Sequence, residues 1–250
     1  MGACMSKRSV GLALVVFASI SFGQAVAGVV ITGTRVIYPA GQKEVTVKLN
    51  NNGGSPVLVQ SWIDSGDIKG SPTNSTAPFV MTPPVSRIDP NKGQSLRLMF
   101  TGATLPSEKE SVFWLNVLEI PPTDKAAPGD NKMYMAFRSR VKLFYRPANL
   151  TGKPAEAPAQ VKWNVAPAAA GGGYVLKAYN PSAYHVSQAT ITLVDGSKRY
   201  EVAPAMVGPG ETRSFQIKGL TSNPSPSSKI EFEAINDYGA YNKTVADLNK

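Results

Sequence analysis

The segment KMYMAFRSRVKLFYR, residues 132–146, decides the fold. Its odd positions read Met133, Met135, Phe137, Ser139, Val141, Leu143 and Tyr145. Its even positions read Lys132, Tyr134, Ala136, Arg138, Arg140, Lys142 and Phe144. Successive side chains of a strand point to opposite faces, so this alternation predicts a β-strand with one apolar and one basic face. At fifteen residues the segment is longer than one sandwich strand requires, since strands usually span about three to ten residues. Taken alone, the segment suits an ordinary core strand with a solvated basic face.

The same period recurs on either side. Glu44–Leu49 sets Val45, Val47 and Leu49 against Glu44, Thr46 and Lys48. Val29–Ile31, Val36–Tyr38, Val57–Ile63, Leu96–Phe100 and Val112–Ile120 also read as strands, with Trp62 a core residue. Gly- and Pro-rich clusters such as Asn50–Pro56 separate them, and no long stretch carries the i, i+3, i+4 pattern of a helix. Pro147, Gly152, Pro154 and Pro158 mark an interdomain linker at 149–158. Beyond it, Val161–Val165, Tyr174–Tyr179, Ala189–Val194, Thr212–Ile217 and Lys229–Ile235 form a second β set. The expectation is an all-β chain of two sandwiches in series, over 28–148 and 159–250.

Residues 1–27 read as a secretory signal peptide. Lys7 and Arg8 precede an apolar run over Val10–Ile20, and Ala25-Val26-Ala27 supplies the small-residue cleavage pattern. The run is too short to cross a bilayer. Cleavage removes Cys4, the one cysteine, and an exported chain without disulfides suits a bacterial periplasm.

Composition excludes several kinds of chemistry. One histidine and one cysteine cannot assemble a Cys/His zinc site. His185 has no acid beside it in sequence and reads as structural. Asp67, Asp89, Glu119 and Asp124 show no spacing that recommends a carboxylate pair for glycoside hydrolysis. The formal charge is +9 and the mean hydropathy −0.12. The cations are dispersed without an aromatic-basic motif, so nucleic acid is not an expected partner.

Several strings carry a resemblance. They are Thr34-Arg35, Thr82-Pro83-Pro84, VFWLNVLEIPP at 112–122, VKLFYRP at 141–147, Asn180-Pro181-Ser182 and Ile235-Asn236-Asp237-Tyr238-Gly239. Together, and in this order, they make the chain resemble the PapD-like periplasmic pilus chaperones over essentially its whole length after residue 27. The resemblance implies two immunoglobulin-like sandwiches set at an angle around a cleft, a fold known to donate a strand to an incomplete partner sheet. It implies that Arg35 and Lys142 hold a pilus subunit's terminal carboxylate. It implies that Met133, Met135 and Phe137 lie on an edge strand that fills the subunit's groove, and that Arg97, Glu110 and Asp237 form an interdomain ion cluster. Lys142 falls on the face opposite Met133 under strict alternation, so either a bulge intervenes or cleft and groove see different faces. The short segment between Ile120 and Met133 and the lack of cysteine match the short-loop branch. The expected partners are pilus subunits and an outer-membrane usher, with self-capping dimers when free. No enzymatic activity, small-molecule substrate, cofactor or metal is expected. The alternative is an exported adhesive or carbohydrate-binding sandwich protein, which leaves the long strand unexplained.

Overall fold

The computed structural model describes residues 28–122, 135–169 and 173–248. The first domain is built from β1 (Val29–Ile31), β2 (Arg35–Pro39), β3 (Val45–Asn51), β4 (Val57–Asp64), β5 (Phe79–Thr82), β6 (Val85–Ile88), β7 (Gly93–Phe100), β8 (Ser111–Ile120) and β9 (Phe137–Arg146). One sheet runs β1-β3-β7-β5 and the other β2-β9-β8-β4-β6. Each strand sends alternate residues inward. Val47, Leu49, Leu96 and Leu98 from one sheet meet Val59, Ile63, Leu115 and Leu143 from the other in one buried cluster. Tyr38 is buried among them. Its hydroxyl donates toward the carbonyls of Gln42 and Lys43, at 3.1 Å each, and accepts from the Phe100 amide.

Trp62 is buried as expected, at 7% exposed, but it is not part of the cluster between the two sheets. Val57, Val59, Ser61 and Ile63 are the buried inward positions of β4, which turns Trp62 to the outer face with Gln60 and Asp64. There the Arg138 guanidinium covers its ring at 4.7 Å.

The second domain comprises a single helical turn α1 (Ala157–Gln160), then β10 (Lys162–Pro167), β11 (Tyr174–Tyr179), β12 (Val186–Asp195), β13 (Lys198–Val202), β14 (Met206–Val207), β15 (Thr212–Ile217), β16 (Lys229–Ile235) and β17 (Tyr241–Asp247). Its sheets run β10-β11-β15 and β13-β12-β16-β17, with β14 also on β12. Trp163, Leu176, Ile191, Leu193 and Phe232 form its core, and Leu150 and Ala157 from the connecting stretch pack onto it.

Candidate functional site

The pairing of β2 with β9 sets up the crevice between the domains. It is parallel, and its register places Arg35 opposite Lys142 and Ile37 opposite Phe144. Two cations 107 positions apart in sequence therefore stand side by side on one face. Each reaches the second domain. The Arg35 Nη1 donates to the Ile235 carbonyl at 2.7 Å, with the guanidinium 5.8 Å from the centre of the Phe144 ring. The Lys142 Nζ donates to the Ser187 hydroxyl at 3.2 Å.

Neither side chain has an acidic partner within ion-pair distance among the described residues, and the Arg35 Nε is buried with no hydrogen-bond acceptor. Burial pushes the Lys142 ammonium below the ordinary lysine range, and the charges of Arg35 and Arg213 push it further. Burial also lowers the Arg35 guanidinium, against the opposing pull of Asp237 and Glu110. A crevice of about 340 Å³ adjoins Arg35, bounded also by Phe144, Arg146, His185, Ser187 and Asp237. Such a pair is suited to an anion that brings its own charge, since charge-assisted hydrogen bonds are strongest where water is scarce. Arg213 was not legible as a neighbour of this pair. It lies on the second domain's β15, donating to the Met206 carbonyl at 2.7 Å.

The ion cluster that joins the domains consists of Glu110, Arg146 and Asp237, with His185 beside it. Glu110 is 4% exposed. Its Oε1 accepts from the Arg146 Nε at 2.7 Å, and its Oε2 from the His185 amide at 2.8 Å. The His185 Nδ1 lies 3.3 Å from that same oxygen, so the acid missing beside His185 in sequence is supplied by the fold. Arg146 turns its fork to Asp237, at 2.7 and 3.0 Å, and lies over the Tyr184 ring. Burial alone would lower the Arg146 guanidinium, but hydrogen bonds to Asp237 and Glu110 together with their charges raise it.

Arg97 does not join this cluster. Leu96 and Leu98 are fully buried, so Arg97 points outward from β7, where its Nε donates to Glu44 at 2.9 Å. Arg146 occupies the role expected of it. The signal available in sequence was its place just before Pro147, where the edge segment meets the linker.

The third expected feature is the edge strand. β9 pairs with β8 along its length, from Phe137 opposite Glu119 to Tyr145 opposite Ser111, without a break in register. β2 covers only Lys142–Arg146. The outer edge of residues 137–141 thus carries no strand among the described residues. Met135 and Phe137 are 56% and 58% exposed. Met133 lies outside the described residues. Within Phe137–Arg146 there is no bulge, so Lys142 and Phe137 occupy opposite faces of one regular strand.

Among the described residues no group of three or more histidine, cysteine, aspartate or glutamate side chains could hold a metal ion. No described helix is long and apolar enough to cross a membrane.

Two immunoglobulin-like sandwiches, an ion cluster bridging them and paired cations in the crevice define a class of two-domain β-proteins with a basic cleft and an edge strand that the described residues cover only in part. Residues 28–151 match the family described as Pili and flagellar-assembly chaperone, PapD N-terminal domain, and residues 156–246 the Pili assembly chaperone PapD, C-terminal domain. The chain belongs to the PapD family of pilus-assembly chaperones. It is 44% identical over 237 residues to the probable fimbrial chaperone YadV of Escherichia coli (strain K12), covering 94% of this chain and 95% of that one. It is 40% identical over 228 residues to the chaperone protein FimB/FhaD of Bordetella pertussis, covering 88% and 89%. The crystal structure of the YadV chaperone superposes with a TM-score of 0.77 over 89% of this chain and 100% of that one, at 43% identity. The SafB chaperone of Salmonella enterica, solved in complex with the SafA pilin, gives a TM-score of 0.71 at 26% identity over 88% and 96%. The protein is accordingly a periplasmic fimbrial chaperone and not an enzyme.

Proposed function

We propose that this chaperone captures pilus subunits by adding the free half of β9 to their open sheet and anchoring their terminal carboxylate between Arg35 and Lys142. One observation carries the reading: among the described residues, the Arg35–Lys142 register sets two cations without an acidic partner just beyond the stretch 137–141 of β9, whose outer edge no strand covers. An exposed strand edge offers main-chain groups that complete a partner's ladder, and its alternate side chains fill that partner's groove. Met135 and Phe137 supply apolar bulk, with Met133 as their continuation, and a flexible thioether accommodates related grooves. The anchor fixes register because roughly 3.3 Å of strand separates successive residues.

The cluster of Glu110, Arg146 and Asp237 holds the two domains as one frame for this cleft. The connection from β8 to β9 spans only residues 121–136, which supports the short-loop branch of the family. The loaded chaperone delivers its subunit to an outer-membrane usher, and free molecules cover their edges by pairing with one another. The test is purification of tagged protein from the host periplasm. A stoichiometric small β-protein that is lost in an Arg35→Ala variant of normal secondary structure is the expected result. Recovery of the same partner by Arg35→Ala at wild-type yield would overturn the anchor.

A further inference from the structure

Among the described residues, 137–141 have a ladder on one side only, and a strand held on one side opens more readily than one held on both. Two of its residues are tied down from the opposite direction. The outward face of this sheet carries a network that no pairing motif announces. Asp64, on β4, is 3% exposed, and Asn116, on the intervening β8, is fully buried. The Asp64 Oδ1 accepts from the Arg140 Nη2 at 2.7 Å and from the Gly66 amide at 2.7 Å. Its Oδ2 accepts from the Asn116 Nδ2 at 2.7 Å and faces the Arg138 Nη2 at 3.4 Å. Arg138 donates its Nε and Nη2 to the Asn116 Oδ1, at 2.9 and 2.7 Å, and its Nη1 to the Ile68 carbonyl at 2.9 Å. Under the two guanidinium groups lie Trp62 and Trp114, at 4.7 and 5.5 Å.

We infer that Asp64, acting through Asn116, Arg138 and Arg140, is a positioning residue for strand donation: it lashes the uncovered half of β9 across β8 to β4. This rests on the strand-donation reading above. The two arginines belong to the 137–141 stretch itself, and they alternate with the residues on the other face. Fixing the one set therefore fixes where the other set points. Both guanidinium groups converge on a single buried carboxylate: the departure of Arg140 takes from Asp64 its closest charged partner, and that of Arg138 takes two donors from the buried Asn116 Oδ1. An arginine fork stacked on an indole is also rigid, which a lysine in the same place would not be. A strand ordered before the partner arrives loses less conformational freedom on binding, and that saving appears in affinity. None of these residues belongs to the sandwich core, which lies on the sheet's other side.

The test uses the full-length mature chaperone with Asp64→Asn, which keeps the side chain's shape and removes its charge. The variant pair Arg138→Gln with Arg140→Gln covers the event that Asp64→Asn fails to fold. Amide hydrogen exchange is read in the free protein. The expected result is exchange at 137–141 at least tenfold faster, with the β3 and β7 amides unchanged. The probe for binding is the subunit recovered with the wild-type protein from the periplasm, and its affinity should fall about tenfold or more. Arg97→Gln, whose pair with Glu44 lies on the other sheet, should leave both measurements alone.

Uniformly faster exchange in every strand would reduce Asp64 to a plain stability role and overturn the inference. So would a loss of affinity with exchange at 137–141 unchanged, which would make this face a direct docking surface instead. If the wild-type protein captures no subunit, the strand-donation reading fails, while exchange in the free protein still decides whether Asp64 orders the strand.

Discussion

Lys142 is held where its charge is least comfortable. Burial and the nearby Arg35 and Arg213 all lower its proton affinity. A folded-state pKa below the unfolded value means that the charged ammonium costs stability near neutral pH, a cost recovered as pH rises through the lowered pKa. An incoming carboxylate reverses that bias by favouring the charged form, so capture is coupled to keeping the proton. Subunit affinity should therefore decline with rising pH from below the ordinary lysine range, and this decline should vanish in Lys142→Ala, which also binds more weakly. Titration of the complex from neutral to alkaline pH, with an amidated-C-terminus subunit as control, measures it. A wild-type pH profile identical for the amidated subunit would remove the carboxylate from the account. At this scale the sequence was legible in part. Leu96-Arg97-Leu98 shows by alternation that Arg97 points away from the core, but not that Glu44, 53 positions away, receives it. Trp62 could have been placed by parity: it shares its face with Gln60 and Asp64, not with Val59 and Ile63.

Elements were easier to read than their neighbours. Alternation marked β3 and β9, where one face is buried against a core and imposes the period of two, and apolar segments between Gly- and Pro-rich breaks marked β4, β7 and β8. Short strands such as β5, β6, β13 and β14 left no such trace, since five residues or fewer hold too few repeats of the pattern. The parallel pairing of β2 with β9 was not legible: the family resemblance implied that Arg35 and Lys142 share one cleft but gave no strand pairing, because a register between segments 107 positions apart is set by the whole sandwich. At the free end of β9 the exposure of Met135 separates two roles. Truncating a core methionine costs about 2–5 kcal/mol, whereas a change at an exposed position typically stays within about 0.5 kcal/mol. Met135 is 56% exposed, so Met135→Ala should leave the melting temperature of the free chaperone nearly unchanged. Subunit affinity should drop severalfold, and Met135→Glu should bind worse still, because it places a charge in an apolar groove. Melting is compared at several protein concentrations, since self-pairing would bury the same side chain. A large loss of stability at every concentration, with affinity per folded molecule intact, would make Met135 a core residue instead.

For the whole molecule the question is what holds two sandwiches at one angle, because the default expectation for linked domains is relative motion. Here the contact between them is polar and specific. The Glu110 amide donates to the Ala183 carbonyl at 2.9 Å, Arg35 reaches the Ile235 carbonyl, and Arg146 spans from Glu110 to Asp237. Gly239 lets the β16–β17 turn come close, for a Cβ there would lie 2.7 Å from the Thr34 hydroxyl of the first domain. Its φ of +86° adds a second reason for glycine. Exposed ion pairs contribute about 0–1 kcal/mol, but Glu110 is almost wholly buried and Arg146 largely so, which raises the cost of breaking their network. Asp237→Asn keeps the shape and removes one of the two charges that satisfy Arg146. It should cost about 1–3 kcal/mol, as for a hydrogen bond between charged groups left incomplete. Because Arg35 also feels Asp237, the same change disturbs the cleft as well as the hinge. The measurement is thermal melting together with small-angle scattering of the free protein. The expected outcome is a lower melting temperature and a broader distribution of interdomain angles, with each sandwich's own strand content retained by circular dichroism. Unchanged melting and an unchanged scattering profile would show that the backbone contacts and the close packing at Gly239 suffice to set the angle without Asp237.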